Sequence, residues 1–162
     1  MRTMWLAAGA LACLSLSACN EKPADPAPAA EAPAPKKSLA RQVQFYQGQE
    51  NVQAITSGSI KPASSGGYDL EAKATTDGGG WTKVGFLPRV YAASPPDGIY
   101  EVDVVADKPA TPGAAGPTPV DVKSGWDRYK DGRVKGVKFI SKTNEVVAMV
   151  GGESGGGAPA AK

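Results

Sequence analysis

Glu101 and Asp103 alternate along one strand-like stretch, and Asp69 and Glu71 do the same along another. Two carboxyl groups about 5 to 9 Å apart are what hydrolysis of a glycosidic bond requires, and residues i and i+2 of a strand reach that separation on one face. The apolar residues between them equally describe a solvated strand face, and that is the reading the flanking sequence favours. Other routes to catalysis close quickly, because the chain contains no histidine. Without it, Ser-His-Asp and Cys-His nucleophiles and zinc sites built from His and Cys are excluded. Gly152-Glu153-Ser154-Gly155-Gly156 has the spacing of a nucleophile elbow, but it lies in a glycine-rich tail where no partner base exists. Asp127 with Asp131-Gly132 loosely fits a calcium loop, lacks the ligand at the third position, and is better read as a turn.

The basic side chains are the second group with a chemical use. Lys130, Arg133, Lys135, Lys138 and Lys142 fall on the outer face of one expected hairpin, with Trp126 and Tyr129 beside them. Such a face would meet anionic lipid head groups or a polyanionic envelope glycan, more weakly at high salt. An ordinary charged surface with lysines guarding a sheet edge is the plainer account. With 18 basic and 16 acidic residues, net charge +2, the chain lacks the concentrated positive charge of a nucleic-acid binder. No cofactor and no metal are implied. Tyr46, Trp81, Tyr91, Tyr100 and Trp126 are the aromatic residues that would line a groove.

Strands must position these residues. Tyr68 to Ala74 alternates, with Tyr68, Leu70, Ala72 and Ala74 inward and Asp69, Glu71 and Lys73 outward. Arg41 to Gln47 reads as a first strand, Gly48 to Thr56 as either a short helical turn or a loop, and Asp77 to Gly80 as the turn of a hairpin into Trp81 to Leu87. Ile99 to Ala106 is a further strand, followed by a proline-rich exposed loop over 107–119 whose Lys108 to Thr118 portion is a candidate contact surface. Val120 to Lys123 is a short strand that Gly125 to Tyr129 extends. Arg133 to Phe139 buries Val134, Val137 and Phe139 if Gly136 is a bulge, and Glu145 to Val150 suits a central strand. About seven strands and no crossover helix predict a mainly β domain, a small antiparallel sandwich or barrel.

The N-terminus is of a different kind. Arg2 is followed by an apolar run from Met4 to Leu16, too short to span a bilayer and typical of a signal peptide. The run ends in Leu16-Ser17-Ala18-Cys19, which resembles the lipobox of bacterial lipoproteins. The resemblance covers about the first 20 residues and implies cleavage before Cys19, acylation of its sulfur and amine, and anchoring in the bilayer. Asn20 in the next position implies outer-membrane sorting, with the domain in the periplasm. Residues 21–38 are rich in proline and alanine and form a spacer of about 3.1 Å per residue, on the order of 50 Å in all.

The expected organisation is a signal peptide over 1–18, an acylated cysteine and linker over 19–38, a β domain over 39–150 and a disordered tail over 151–162. Function is then expected to be that of a lipid-anchored, non-enzymatic module contacting an unknown envelope protein or glycan. An inhibitor of a lysozyme or protease, or a small carboxylate-dependent glycan hydrolase, are the alternatives.

Overall fold

The computed structural model describes residues 38–155. Cys19, the apolar run before it, the linker as far as residue 37 and residues 156–162 lie outside the described residues. The described chain forms nine strands: β1 Gln49–Asn51, β2 Ala54–Pro62, β3 Tyr68–Gly78, β4 Thr82–Pro88, β5 Ile99–Asp107, β6 Ala115–Trp126, β7 Gly136–Ile140, β8 Glu145–Met149 and β9 Glu153–Gly155. They make two sheets packed face to face, so the protein is a mainly β sandwich.

β5 is the axis of one sheet. β4 pairs along one of its edges; β7 covers the first half of the other edge and β1 the second half, with β8 outside β7. The β5–β7 pair is parallel and every other pairing between these strands is antiparallel, with one isolated parallel bridge between Ile60 and Val150. The chain reaches β7 from β5 by way of β6 in the opposite sheet, which is ordered β6-β3-β2-β9. Tyr100, Val102, Val104 and Ala106 of β5 point into the sandwich, where they meet Leu70, Ala72, Ala74, Val122, Val137, Phe139 and Val146. The Phe139 ring lies over Gly58 of β2, so close that a Cβ there would sit 2.5 Å from its Cδ2 atom. Close interdigitation of this kind is how two sheets about 10 Å apart fill the space between them.

Several expectations are corrected. Arg41 to Gln47 is not a strand: the one bridge here is made by Ala40, just before it, with Tyr91, and Arg41 N donates to Val90 O at 2.9 Å. Both edges of β5 are taken, so Phe45 and Tyr46 of this segment stay exposed. Within 48–56 lie β1 and the start of β2, joined through Val52 and Gln53, so the segment is mostly strand and holds no helical turn. β3 and β4 are not a hairpin; the turn at Asp77 to Gly80 carries the chain from one sheet to the other. Asp131-Gly132 also connects the sheets, because β6 pairs only with β3 and β7 only with β5 and β8. Gly136 opens β7 opposite Ile99 and is no bulge, although Val134, Val137 and Phe139 are all buried. The 107–119 loop is shorter than expected, since β6 begins at Ala115. The domain is also longer than 39–150: Ser38 already bonds to it, and residues 153–155, assigned above to a tail, pair with β2.

β6 is an edge strand. The Thr75 carbonyl accepts from Gln53 N at 2.8 Å, so the polar groups of Thr75 point toward β2. Pro119 lies opposite Thr75, and its own in-plane groups therefore face away from β3, at a position where proline lacks the N–H that an incoming strand would need.

Candidate functional site

The structure disperses the basic face. Trp126 is only 6 % exposed and belongs to the core. Tyr129, with φ of 58°, stacks on Tyr100 with centroids 4.6 Å apart and meets Trp126 edge-on at 5.7 Å. Tyr91 and Tyr68 complete an aromatic cluster at one end of the sandwich. Burial leaves the Trp126 Nε1 without a hydrogen bond among the described residues, a cost that these ring contacts offset. Arg133 lies 5.6 Å from the Tyr129 ring and pairs with Asp131, whose hydrogen bonds hold the Asp131 carboxyl below its usual range. Lys130 lies 3.8 Å from Asp127 and donates to the Ser65 carbonyl at 3.4 Å. Lys135 is exposed beside Gly98, and Lys138 and Lys142 turn to other partners. Three of the five cations expected on one hairpin gather here, and two of those are matched by carboxylates.

The carboxylate pair on β5 is not a solvated face either. Glu101 and Asp103 are 6 % and 1 % exposed, because the outer face of β5 is covered. Arg89 reaches both: its Nε donates to Asp103 Oδ2 at 2.6 Å, its Nη2 to Asp103 Oδ1 at 3.1 Å and its Nη1 to Glu101 Oε2 at 2.9 Å. Glu101 also accepts from the Ser38 hydroxyl at 2.7 Å and pairs with Lys138 Nζ at 3.0 Å, while Asn51 Nδ2 donates to Asp103 Oδ1 at 3.2 Å. Burial pushes the Glu101 carboxyl up, but the hydrogen bonds from Ser38 and Lys138 and the charges of Lys138 and Arg89 outweigh it and hold it below its ordinary value. A general acid needs the opposite shift. Tyr91, whose hydroxyl accepts from Glu101 N at 2.9 Å, is pushed up to about 12, chiefly by burial. Asp69 is exposed and Glu71 pairs with Lys123 at 3.1 Å across to β6, as expected of a surface face.

A groove lies at the other end of the eleven-residue β3 from the aromatic cluster. Glycine makes it. Gly79 N donates to Ala114 O at 2.9 Å and ties the β3–β4 turn to the loop over 108–114. A Cβ on Gly113 would stand 2.5 Å from the Gly79 carbonyl oxygen, so only glycine permits that approach. Gly80, at φ +88°, sits against Pro109 in a backbone conformation that disfavours other residues. What remains between turn and loop is a groove of about 270 Å³ lined by Asp77, Trp81, Lys108, Pro109, Pro112 and Gly113. Trp81 is held from two sides. Its Nε1 donates to Asp77 Oδ1 at 3.0 Å, and Lys142 Nζ stands 5.4 Å from the ring centroid. Lys142 is fixed in turn by Glu50 at 2.8 Å, and this hydrogen bond holds the Glu50 carboxyl below its usual range. Lys108 contacts Glu50 at 3.5 Å.

Of the aromatic residues expected to share a groove, Tyr91, Tyr100 and Trp126 meet in the cluster, Trp81 lines the groove and Tyr46 stands alone and exposed. Ser154 lies on β9, an edge strand, where a nucleophile elbow would need a strand-to-helix turn. Among the described residues no group of three or more His, Cys, Asp or Glu could hold a metal ion. Sequence reasoning missed Arg89, Ser38 and Asn51, which lie in segments with no alternation to mark them. Comparison with protein-family models, curated proteins and solved structures finds no match.

Proposed function

We propose that the chain is a bacterial envelope lipoprotein, anchored through acylated Cys19 in the outer membrane and facing the periplasm, whose β sandwich is a non-enzymatic binding module. The anchor rests on the order of charge, apolar run and Leu16-Ser17-Ala18-Cys19 in the sequence. Two or three acyl chains, at about 0.8 kcal/mol per buried methylene, hold a folded domain on a membrane without help from its surface. The groove at Trp81 is the observation that carries the binding reading. It is concave, its walls are tied by backbone hydrogen bonding, and it presents an aromatic ring whose orientation is fixed before any partner arrives. Preorganisation of that kind lowers the ordering cost of binding. The carboxylate pair supports the non-enzymatic reading, since Arg89 and Lys138 already neutralise it.

Two measurements test this. Cys19→Ala should move the protein from the membrane to the soluble fraction with its β spectrum intact; a substituted protein that stays with the membrane refutes the anchor. With the anchor removed by Cys19→Ala, envelope material stripped of lipid by detergent should retain the otherwise unchanged chain and lose the chain that also carries Trp81→Ala. Equal retention of both would remove the groove from the binding surface.

A further inference from the structure

We infer that the groove at Trp81 is a saccharide subsite that holds one sugar ring of an envelope glycan, an assignment that rests on the binding-module reading above. Size comes first. At about 270 Å³ the groove falls below the range of pockets that enclose drug-sized ligands, and an extended peptide needs a run of several pockets along its length. A single ring is what it accommodates, with the rest of the ligand passing into solvent.

Charge then narrows the class. Asp77 and Lys108 both line the groove. Asp77 uses Oδ1 for the Trp81 indole, and Oδ2 has no partner among the described residues. Among the described residues the Lys108 ammonium has only the 3.5 Å contact with Glu50. A ligand of either net charge meets one attractive and one repulsive group, whereas a neutral polyhydroxylated ring satisfies both: one hydroxyl donates to the carboxylate and another accepts from the ammonium. The groove also presents the Trp81 indole, fixed by Asp77 and Lys142, against which the C–H face of a sugar packs. Pro109 and Pro112 add apolar lining, and neither brings a backbone N–H that would need a partner there.

The test uses the full chain, purified from membranes in a zwitterionic detergent without sugar head groups. N-acetylglucosamine and galactose are titrated separately while the Trp81 and Trp126 indole N–H resonances and ligand saturation-transfer signals are followed. The Trp81 resonance should shift and the Trp126 resonance should not. Half-saturation near about 1 mM is expected for a ligand of about a dozen heavy atoms. Asp77→Ala should weaken binding at least about tenfold, Trp81→Phe should retain part of it, and Lys123→Ala, on the far part of β6, should leave it unchanged.

If neither sugar moves the Trp81 resonance at about a hundredfold that concentration, the inference is overturned. A proline-rich peptide that moves it where sugars do not overturns it as well, and makes the groove a peptide site. Retention of the Cys19→Ala chain by lipid-free envelope material alongside either result leaves the binding module standing, so the two failures are distinguishable.

Discussion

Arg89 holds the buried network together, because among the described residues it alone bridges Asp103 and Glu101 under a covered sheet face. Removing one member of a buried ion network leaves the others charged and unpaired. Arg89→Met should therefore cost about 3 kcal/mol in urea unfolding, and adding Asp103→Asn should recover part of it. The network also sets the pH limits. Glu101 titrates lower in the folded chain than its ordinary 4.5, so the stability it contributes is complete above that pH and is lost as the pH falls below it. Tyr91 shifts the other way, from 10.0 to about 12, so the folded state binds the extra proton and stability declines between those values. Lys138, held above 10.5 because its bond to Glu101 outweighs burial, adds to the alkaline decline. Tyr91→Phe should flatten the fall in urea midpoint between pH 10 and 12 without abolishing it; an unchanged slope would mean that another group titrates there. The two carboxylates could be picked out from alternation alone. Their burial could not, because period two marks two faces of a strand and says nothing about which face the rest of the chain later covers.

At the scale of elements, alternation served well where a strand faced a core. Tyr68, Leu70, Ala72 and Ala74 are buried as expected, and so are Val134, Val137 and Phe139. It failed for pairing. Asp77 to Gly80 has hairpin chemistry, yet β3 and β4 separate because β6 and β2 occupy both edges of β3. Partner choice is a long-range property, decided by which edges remain free after the whole sheet assembles. The tight contact between sheets gives a sharp prediction: Gly58→Ala drives a methyl into the Phe139 ring and should cost about 2 kcal/mol by overpacking, measured by chemical denaturation. Phe139→Leu in that background should restore part of the loss. Pro119 gives another. It denies a donor to strands approaching the open side of β6. Pro119→Val should promote concentration-dependent association in sedimentation velocity, and a variant as monomeric as the wild type would show that this proline does not guard the edge.

At the scale of the whole molecule, sequence and structure divide the work between them. The mainly β architecture was legible because no apolar stretch of the domain has helical period or length. The groove was legible only in part: Trp81 and the proline loop each stood out, but the 2.9 Å bond from Gly79 to Ala114 that brings them together joins residues 35 apart in sequence. How the chain enters the sandwich has a mechanical consequence. Residues 38–48 are fastened by the Ser38–Glu101 bond, the Ala40–Tyr91 bridge, the Arg41–Val90 bond and, at their end, the bond from Lys108 N to Gly48 O, well short of a full ladder. If Cys19 anchors the protein, any pull between membrane and partner is delivered at Ser38, and these few bonds break in turn before the ladders between strands do. The segment would then pay out about 3.4 Å per residue, a low-force extension that lets the sandwich yield distance before it yields structure.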